Sequence, residues 1–165
     1  MKIGFTTAHG RARLMNQDSL FVDEDLGLFI VADGMGGHNA GEVASSIAVQ
    51  EIAKAVRDRL ASGAEAARTI SDSIKAAHKS IFQNSQKRPE WVNMGTTVVL
   101  ALFHLDRVLI SHVGDSRAYA VKDGTIEPLT EDHSFVAEWV RQGYITPQEA
   151  RTHEARHGLT MALGV

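Results

Sequence analysis

The chain has 165 residues, 44% of them apolar, enough to close one hydrophobic core without metal or disulfide staples. Seventeen basic against twenty acidic side chains give a formal charge of −3 with no basic block, which argues against a nucleic-acid ligand. Cysteine is absent, the first residues carry no leader-like apolar stretch, and the longest apolar run, Leu26 to Ala32, is too short to span a bilayer. The expectation is a cytoplasmic protein with no membrane insertion.

Three short apolar segments, Lys2 to Thr7, Ser19 to Asp23 and Leu26 to Asp33, predict strands, with Asp23-Glu24-Asp25 as an acidic turn. Val43, Ile47, Ile52, Val56 and Leu60 recur at helical spacing, as do Ala67, Ile70, Ile74, Ala77 and Ile81, and Gly63 separates the two helices. Thr96 to Phe103, Arg107 to Val113 and Arg117 to Val121 then predict an antiparallel meander that turns at His104-Leu105-Asp106, with Asp123-Gly124 as a hairpin signal. His133 to Gln142 predicts a helix closed by Gly143, and Thr146-Pro147-Gln148-Glu149 a capping box with proline at the first helical position. Strands, helices, strands and helices in that order favour a layered α+β domain over a doubly wound parallel sheet.

The most informative stretch runs from Phe29 to Glu42, where an apolar strand delivers Asp33 into the glycine-rich loop Gly34-Met35-Gly36-Gly37-His38 that opens a helix. A carboxylate there repels a phosphate but welcomes a hard cation, and the glycines let a backbone carbonyl join the coordination shell. Neither the lysine of a phosphate-cradling loop nor the last glycine of a dinucleotide fingerprint follows. Upstream, Arg13 precedes Asp18 by five residues just ahead of a strand; downstream, Asp115 sits at a sharp break between strands. A guanidinium recognises phosphate oxygens bidentately, and carboxylates at strand ends can gather around divalent cations.

These motifs, Arg13…Asn16-Gln17-Asp18, Val31 to His38, Gly95-Thr96-Thr97, Gly114-Asp115-Ser116-Arg117-Ala118-Tyr119 and Leu129 to Ser134, resemble in order those of the PPM family, the metal-dependent type 2C protein serine/threonine phosphatases, in their bacterial form. The resemblance extends through Gly143-Tyr144-Ile145-Thr146 to Ala162-Leu163-Gly164. It implies a four-layer α-β-β-α sandwich of two antiparallel sheets flanked by helices. The cofactors would be two Mn²⁺ or Mg²⁺ ions, with a third, weaker site. Asp33 would bridge both metals, the Gly34 carbonyl would bind one, Asp18 would lie in or just beyond their shell, and Asp115 would serve the third. Arg13 would hold the substrate phosphate. His38 is a substitute for the general-acid histidine that some members carry where this chain has Met35. The implied reaction is hydrolysis of phosphoserine and phosphothreonine, placed by a serine/threonine kinase, through attack of a metal-bound hydroxide without a phosphoenzyme.

The family pattern continues beyond the Ala-Leu-Gly segment with two further aspartates, whereas this sequence stops at Val165. Residues 1–165 are therefore expected to be about two thirds of a phosphatase domain, C-terminally truncated, with weak metal binding and self-association through an uncovered sheet. The alternative is a non-catalytic module that binds a phosphoprotein or regulatory partner. His153-Glu154-Ala155-Arg156-His157 also satisfies the zinc-hydrolase pattern His-Glu-x-x-His on a capped helix. It lacks a downstream third ligand and is set aside. His112, His78 and His104 are expected to be ordinary strand, surface or turn residues.

Overall fold

A computed structural model describes residues 2–8, 10, 15–36 and 40–165. Strands β1 (Asp18–Asp23) and β2 (Leu28–Met35) pair antiparallel, joined by a turn in which Gly27 takes φ +69°. Helices α1 (Ala40–Ala61) and α2 (Ala66–Ser85) follow, then β3 (Gly95–Thr96), β4 (Val98–His104) and β5 (Arg107–Val113). A five-stranded antiparallel sheet results, in the order β1-β2-β4-β5, with β3 also paired to β2. A second antiparallel sheet is the hairpin of β6 (Tyr119–Lys122) and β7 (Thr125–Pro128), and the short helices α3 (Phe135–Arg141) and α4 (Pro147–Thr152) come last.

Alternation along β2 assigns its two faces. Leu28, Ile30 and Ala32 are buried under the helices together with Val98, Leu100 and Leu102 of β4, while Val31 and Asp33 point to the opposite, open face. The inner stripe of α1 is Ala40, Ala44, Ala48, Ile52 and Val56. Val43, Ile47 and Leu60, which the periodicity weighted as core, lie on its flank and are only partly buried. Alanine is a faint hydrophobic signal, yet small residues on the inner stripe let the helix lie close on the sheet.

Three other expectations are corrected. Lys2 to Thr7 forms no strand, because no neighbour among the described residues pairs with its backbone; Thr6, Thr7 and Ala8 instead line a hollow against Asp18, Ser19, Leu20 and Val31. The meander breaks after β5: Gly114, at φ +100°, turns the chain out of the sheet, and β6 pairs with β7 rather than with β5. The His-Glu-x-x-His segment lies off the helix, since α4 ends at Thr152 and His153 is extended. There His153 meets the edge of Trp139, with ring centroids 5.1 Å apart, and its Nδ1 accepts from the Ala155 amide. The Asp123-Gly124 turn has the two positive φ values of a type I′ hairpin, and the Thr146/Glu149 capping box is present in full.

Glu65 caps α2 with both carboxylate oxygens, accepting from the amides of Arg68 (2.6 Å) and Ala67 (2.8 Å). These bonds hold its carboxyl below the usual carboxylate range, so the ionised form stabilises the fold at neutral pH and that stabilisation is lost as pH falls through the folded value. Glu65→Gln is therefore expected to melt below the wild type at pH 7, with the gap closing below about pH 4. Thermal melts across that range check it; a gap independent of pH would refute the charged cap.

Candidate functional site

The register of β1 and β2 places Asp18 directly opposite Asp33. Both backbone polar groups of Asp33 turn away from β1: its amide donates to Thr97 Oγ1 (3.0 Å), and its carbonyl accepts from the Thr97 amide (2.9 Å) and Thr96 Oγ1 (2.9 Å). The amide that points back toward β1 is that of Gly34, which donates to the Gln17 carbonyl at 3.1 Å. Asp18 and Asp33 are thus a non-hydrogen-bonded pair, the closer of the two antiparallel arrangements, with Cα atoms about 4.5 Å apart. Their side chains share the open face, and both line a polar cavity of about 200 Å³ with Ala8, Gly10, Met15, Asn16 and Gln17.

The strand end is fixed against the start of α1 by backbone proximity. A Cβ on Gly34 would fall 2.0 Å from the Gly41 carbonyl oxygen and 2.5 Å from that of Gln17, so only glycine fits. Ser45, fully buried one turn further along α1, donates to the Gln17 carbonyl at 2.7 Å and lies 2.9 Å from Ser19 Oγ. The chain entering β1, the end of β2 and the first turns of α1 are consequently one unit. Asn16 joins it from the other side, accepting from the Asp18 amide at 3.0 Å and donating to Thr7 Oγ1 at 2.7 Å.

Thr97 also reaches the next candidate, since its Oγ1 lies 2.6 Å from Ser116 Oγ. Asp115, beside that serine, does not line the cavity of Asp18 and Asp33 but a second one of about 590 Å³ between its own turn and helices α3 and α4. That turn is anchored through His133, whose Nδ1 accepts from the Gly114 amide at 3.2 Å and whose ring stacks on His112 at 4.5 Å. Burial, and then the neighbouring His112, hold the His133 imidazole below its ordinary pKa. Arg117 makes a bidentate pair with Asp132 at 2.7 and 2.6 Å, which, with Tyr119, raises its pKa further above the usual guanidinium value.

Arg13 and His38 lie outside the described residues. Among the described residues no three carboxylate or imidazole groups gather as a metal cluster; Asp18, Asp33 and the Gly34 backbone come together and Asp115 faces elsewhere. Facing carboxylates beside a backbone carbonyl are hard oxygen donors, and they fit Mg²⁺ or Mn²⁺ rather than a thiolate-seeking ion.

The sequence model described as Protein phosphatase 2C matches residues 6–161. The chain belongs to the protein phosphatase 2C family. Similar members include the serine/threonine phosphatase stp of Listeria welshimeri, 38% identical over the whole of this chain and 68% of that protein. The crystal structure of the Mycobacterium tuberculosis serine/threonine phosphatase PstP/Ppp superposes with a TM-score of 0.85 at 35% identity, covering 95% of this chain and 65% of that one. A structure of the PstP catalytic domain in complex with two manganese ions matches with a TM-score of 0.81, at 35% identity over 95% of this chain and 64% of that one. This protein phosphatase 2C chain thus spans about two thirds of the length of those relatives.

Within the protein phosphatase 2C frame, the residues left without a role by the sequence motifs are Gln17, Thr97 and Ser45, which hold Asp33, Gly34 and β1 in place. Gln17 and Thr97 each stood in a motif, Asn16-Gln17-Asp18 and Gly95-Thr96-Thr97, whereas Ser45 carried no signal. Ala162-Leu163-Gly164 also gains a place: Leu163 exchanges two backbone hydrogen bonds with Thr96, and the Gly164 amide donates to His78 Nδ1 on α2.

Proposed function

We propose that this chain forms the metal- and phosphate-facing part of a protein serine/threonine phosphatase acting on phosphoserine and phosphothreonine. The observation that carries this reading is the facing pair Asp18 and Asp33 at one rim of the sheet, in a small polar cavity. Asp33, Asp18 and the Gly34 carbonyl would hold Mn²⁺ or Mg²⁺, and Asp115 a further ion. When bound, the metal supplies a Lewis acid that offsets phosphoryl charge and makes water a competent nucleophile at neutral pH. Arg13 would clamp the phosphate oxygens bidentately and His38 would hold a proton for the leaving serine or threonine oxygen. The Thr96 and Thr97 hydroxyls keep the Asp33 backbone, and so its carboxylate, in a fixed place.

The relatives are named as serine/threonine phosphatases, and one was crystallised with two manganese ions. By likeness to them the partners would be phosphorylated proteins, modified by a serine/threonine kinase in the cytoplasm. No helix among the described residues is long and apolar enough to cross a membrane. Exposed Val31, Phe103 and Val108 on the open face of the sheet support self-association there as part of the same reading. In a chain extended to the full family length, phosphate release from a phosphothreonine peptide should require Mn²⁺ and stop on chelation, whereas residues 1–165 alone should release almost none; equal release without metal would overturn the assignment. The alternative, a phosphoprotein-binding module, is favoured by the gathering of only two of the candidate carboxylates, and would show peptide binding with no release under any metal.

A further inference from the structure

We propose that the cavity between the Asp115 turn and helices α3 and α4 is a docking groove for an acidic segment of the phosphoprotein substrate. It rests on the phosphatase reading and goes further by naming the substrate sequence the enzyme prefers.

The groove, about 590 Å³, has an apolar floor of Val136, Ala137 and Val140 and a charged rim. Four guanidiniums line it against three carboxylates. Arg117 is held bidentately by Asp132, and Arg141 reaches Glu131 at 2.5 Å, so those two carboxylates are satisfied within the chain. Arg151 and Arg156 have no carboxylate partner among the described residues; Arg156 makes only a long contact, 3.4 Å, to the His153 carbonyl. Both are exposed, on α4 and on the segment after it, and His157 stands on the same rim. The remaining acid, Asp115, also lines the groove, and its neighbour Ser116 bonds Thr97, which in turn holds Asp33.

The groove therefore carries one carboxylate outside an ion pair, Asp115, linked through Ser116 and Thr97 to the Asp18 and Asp33 rim, and two guanidiniums without a carboxylate partner among the described residues, Arg151 and Arg156. A peptide that places its phosphorylated residue at that rim can lay flanking residues along the groove, where Glu or Asp side chains meet Arg151 and Arg156. Planar guanidiniums take carboxylates in pairs of parallel hydrogen bonds, and a half-enclosed groove screens such contacts less than open surface does. A neutral or basic flank gains nothing there, and a basic one meets like charge.

The test is fluorescence anisotropy with a labelled, unphosphorylated peptide carrying glutamates and a matched peptide with glutamines, alongside phosphate release from their phosphothreonine forms. The acidic peptide is expected to bind about tenfold more tightly at low salt, with the advantage shrinking as salt rises. Arg151→Gln with Arg156→Gln should remove that advantage and raise KM for the acidic phosphopeptide while leaving kcat and the melting temperature unchanged. Arg151→Lys with Arg156→Lys should keep most of it. Equal binding of the two peptides, or undiminished acidic binding in the glutamine variant, would overturn the groove assignment even if phosphate is released. Acid-selective binding without release under any metal would overturn the phosphatase reading instead.

Discussion

In a chain extended to the full family length, Asp33→Asn is expected to lower Mn²⁺-dependent phosphate release by more than about 100-fold. Loss of a group standing behind metal ligands already costs 10- to 100-fold, and Asp33 is the carboxylate proposed to touch both ions. The substitution preserves shape and leaves in place the backbone bonds to Thr96 and Thr97, so any loss reports on charge rather than on folding. A second readout needs no turnover. Mn²⁺ should raise the melting temperature of the wild type, as any ligand of the native state does, and raise it less in Asp33→Asn. Wild-type kinetics and an undiminished Mn²⁺ shift in the variant would remove Asp33 from the site.

Gly34→Ala should be the most damaging substitution in the scaffold. The new methyl would meet the Gly41 carbonyl oxygen at 2.0 Å, its carbon at 2.4 Å and the Gln17 carbonyl oxygen at 2.5 Å, all backbone atoms that cannot swing aside as a side chain can. Overpacking typically costs about 1–3 kcal/mol, and displacing backbone on two sides belongs at the top of that range. For a chain of this size 3 kcal/mol is a fall of roughly 6–12 °C in Tm. Gly41→Ala should cost less, because its Cβ would stop 2.8 Å from Gly34, and Gly4→Ala, which meets nothing within 4 Å, should cost little. A Gly34→Ala protein that melts with the wild type would mean the strand and helix are not in contact as described.

What the sequence made legible was local. Alternation at Leu28 to Asp33 and at Val98 to Val113 locates strands, and Thr146 with Glu149 or Asp123 with Gly124 announce a cap and a turn, because each signal is written within a few residues. The two carboxylates of the cavity were likewise visible as strand-end residues. That they face each other was not, since it depends on a register fixed by the whole hairpin. The hydrogen bond from Asp33 to Thr97 spans 64 positions, and no periodicity encodes it. The same holds for the departure of β6 from the sheet, which follows from one glycine at φ +100°, and for the inner face of α1, where close approach to the sheet selects alanine over larger apolar residues.

The turn between β1 and β2 lies at the opposite end of the hairpin from the carboxylates, yet it sets where they stand. It is held three ways: Asp23 Oδ1 accepts from the Leu26 amide, Asp23 Oδ2 pairs with Arg57 of α1 at 2.7 Å, and the Gly27 carbonyl accepts from Phe103 of β4. Because successive strand residues face opposite sides, moving one strand past the other by a single residue would pair Asp33 with a neighbour of Asp18 whose side chain points toward the helices. Length at this turn is therefore as much a property of the metal-facing rim as the aspartates are. A single-residue insertion or deletion there can silence the rim while every residue lining it is intact, a lesion that inspection of the lining residues alone would miss.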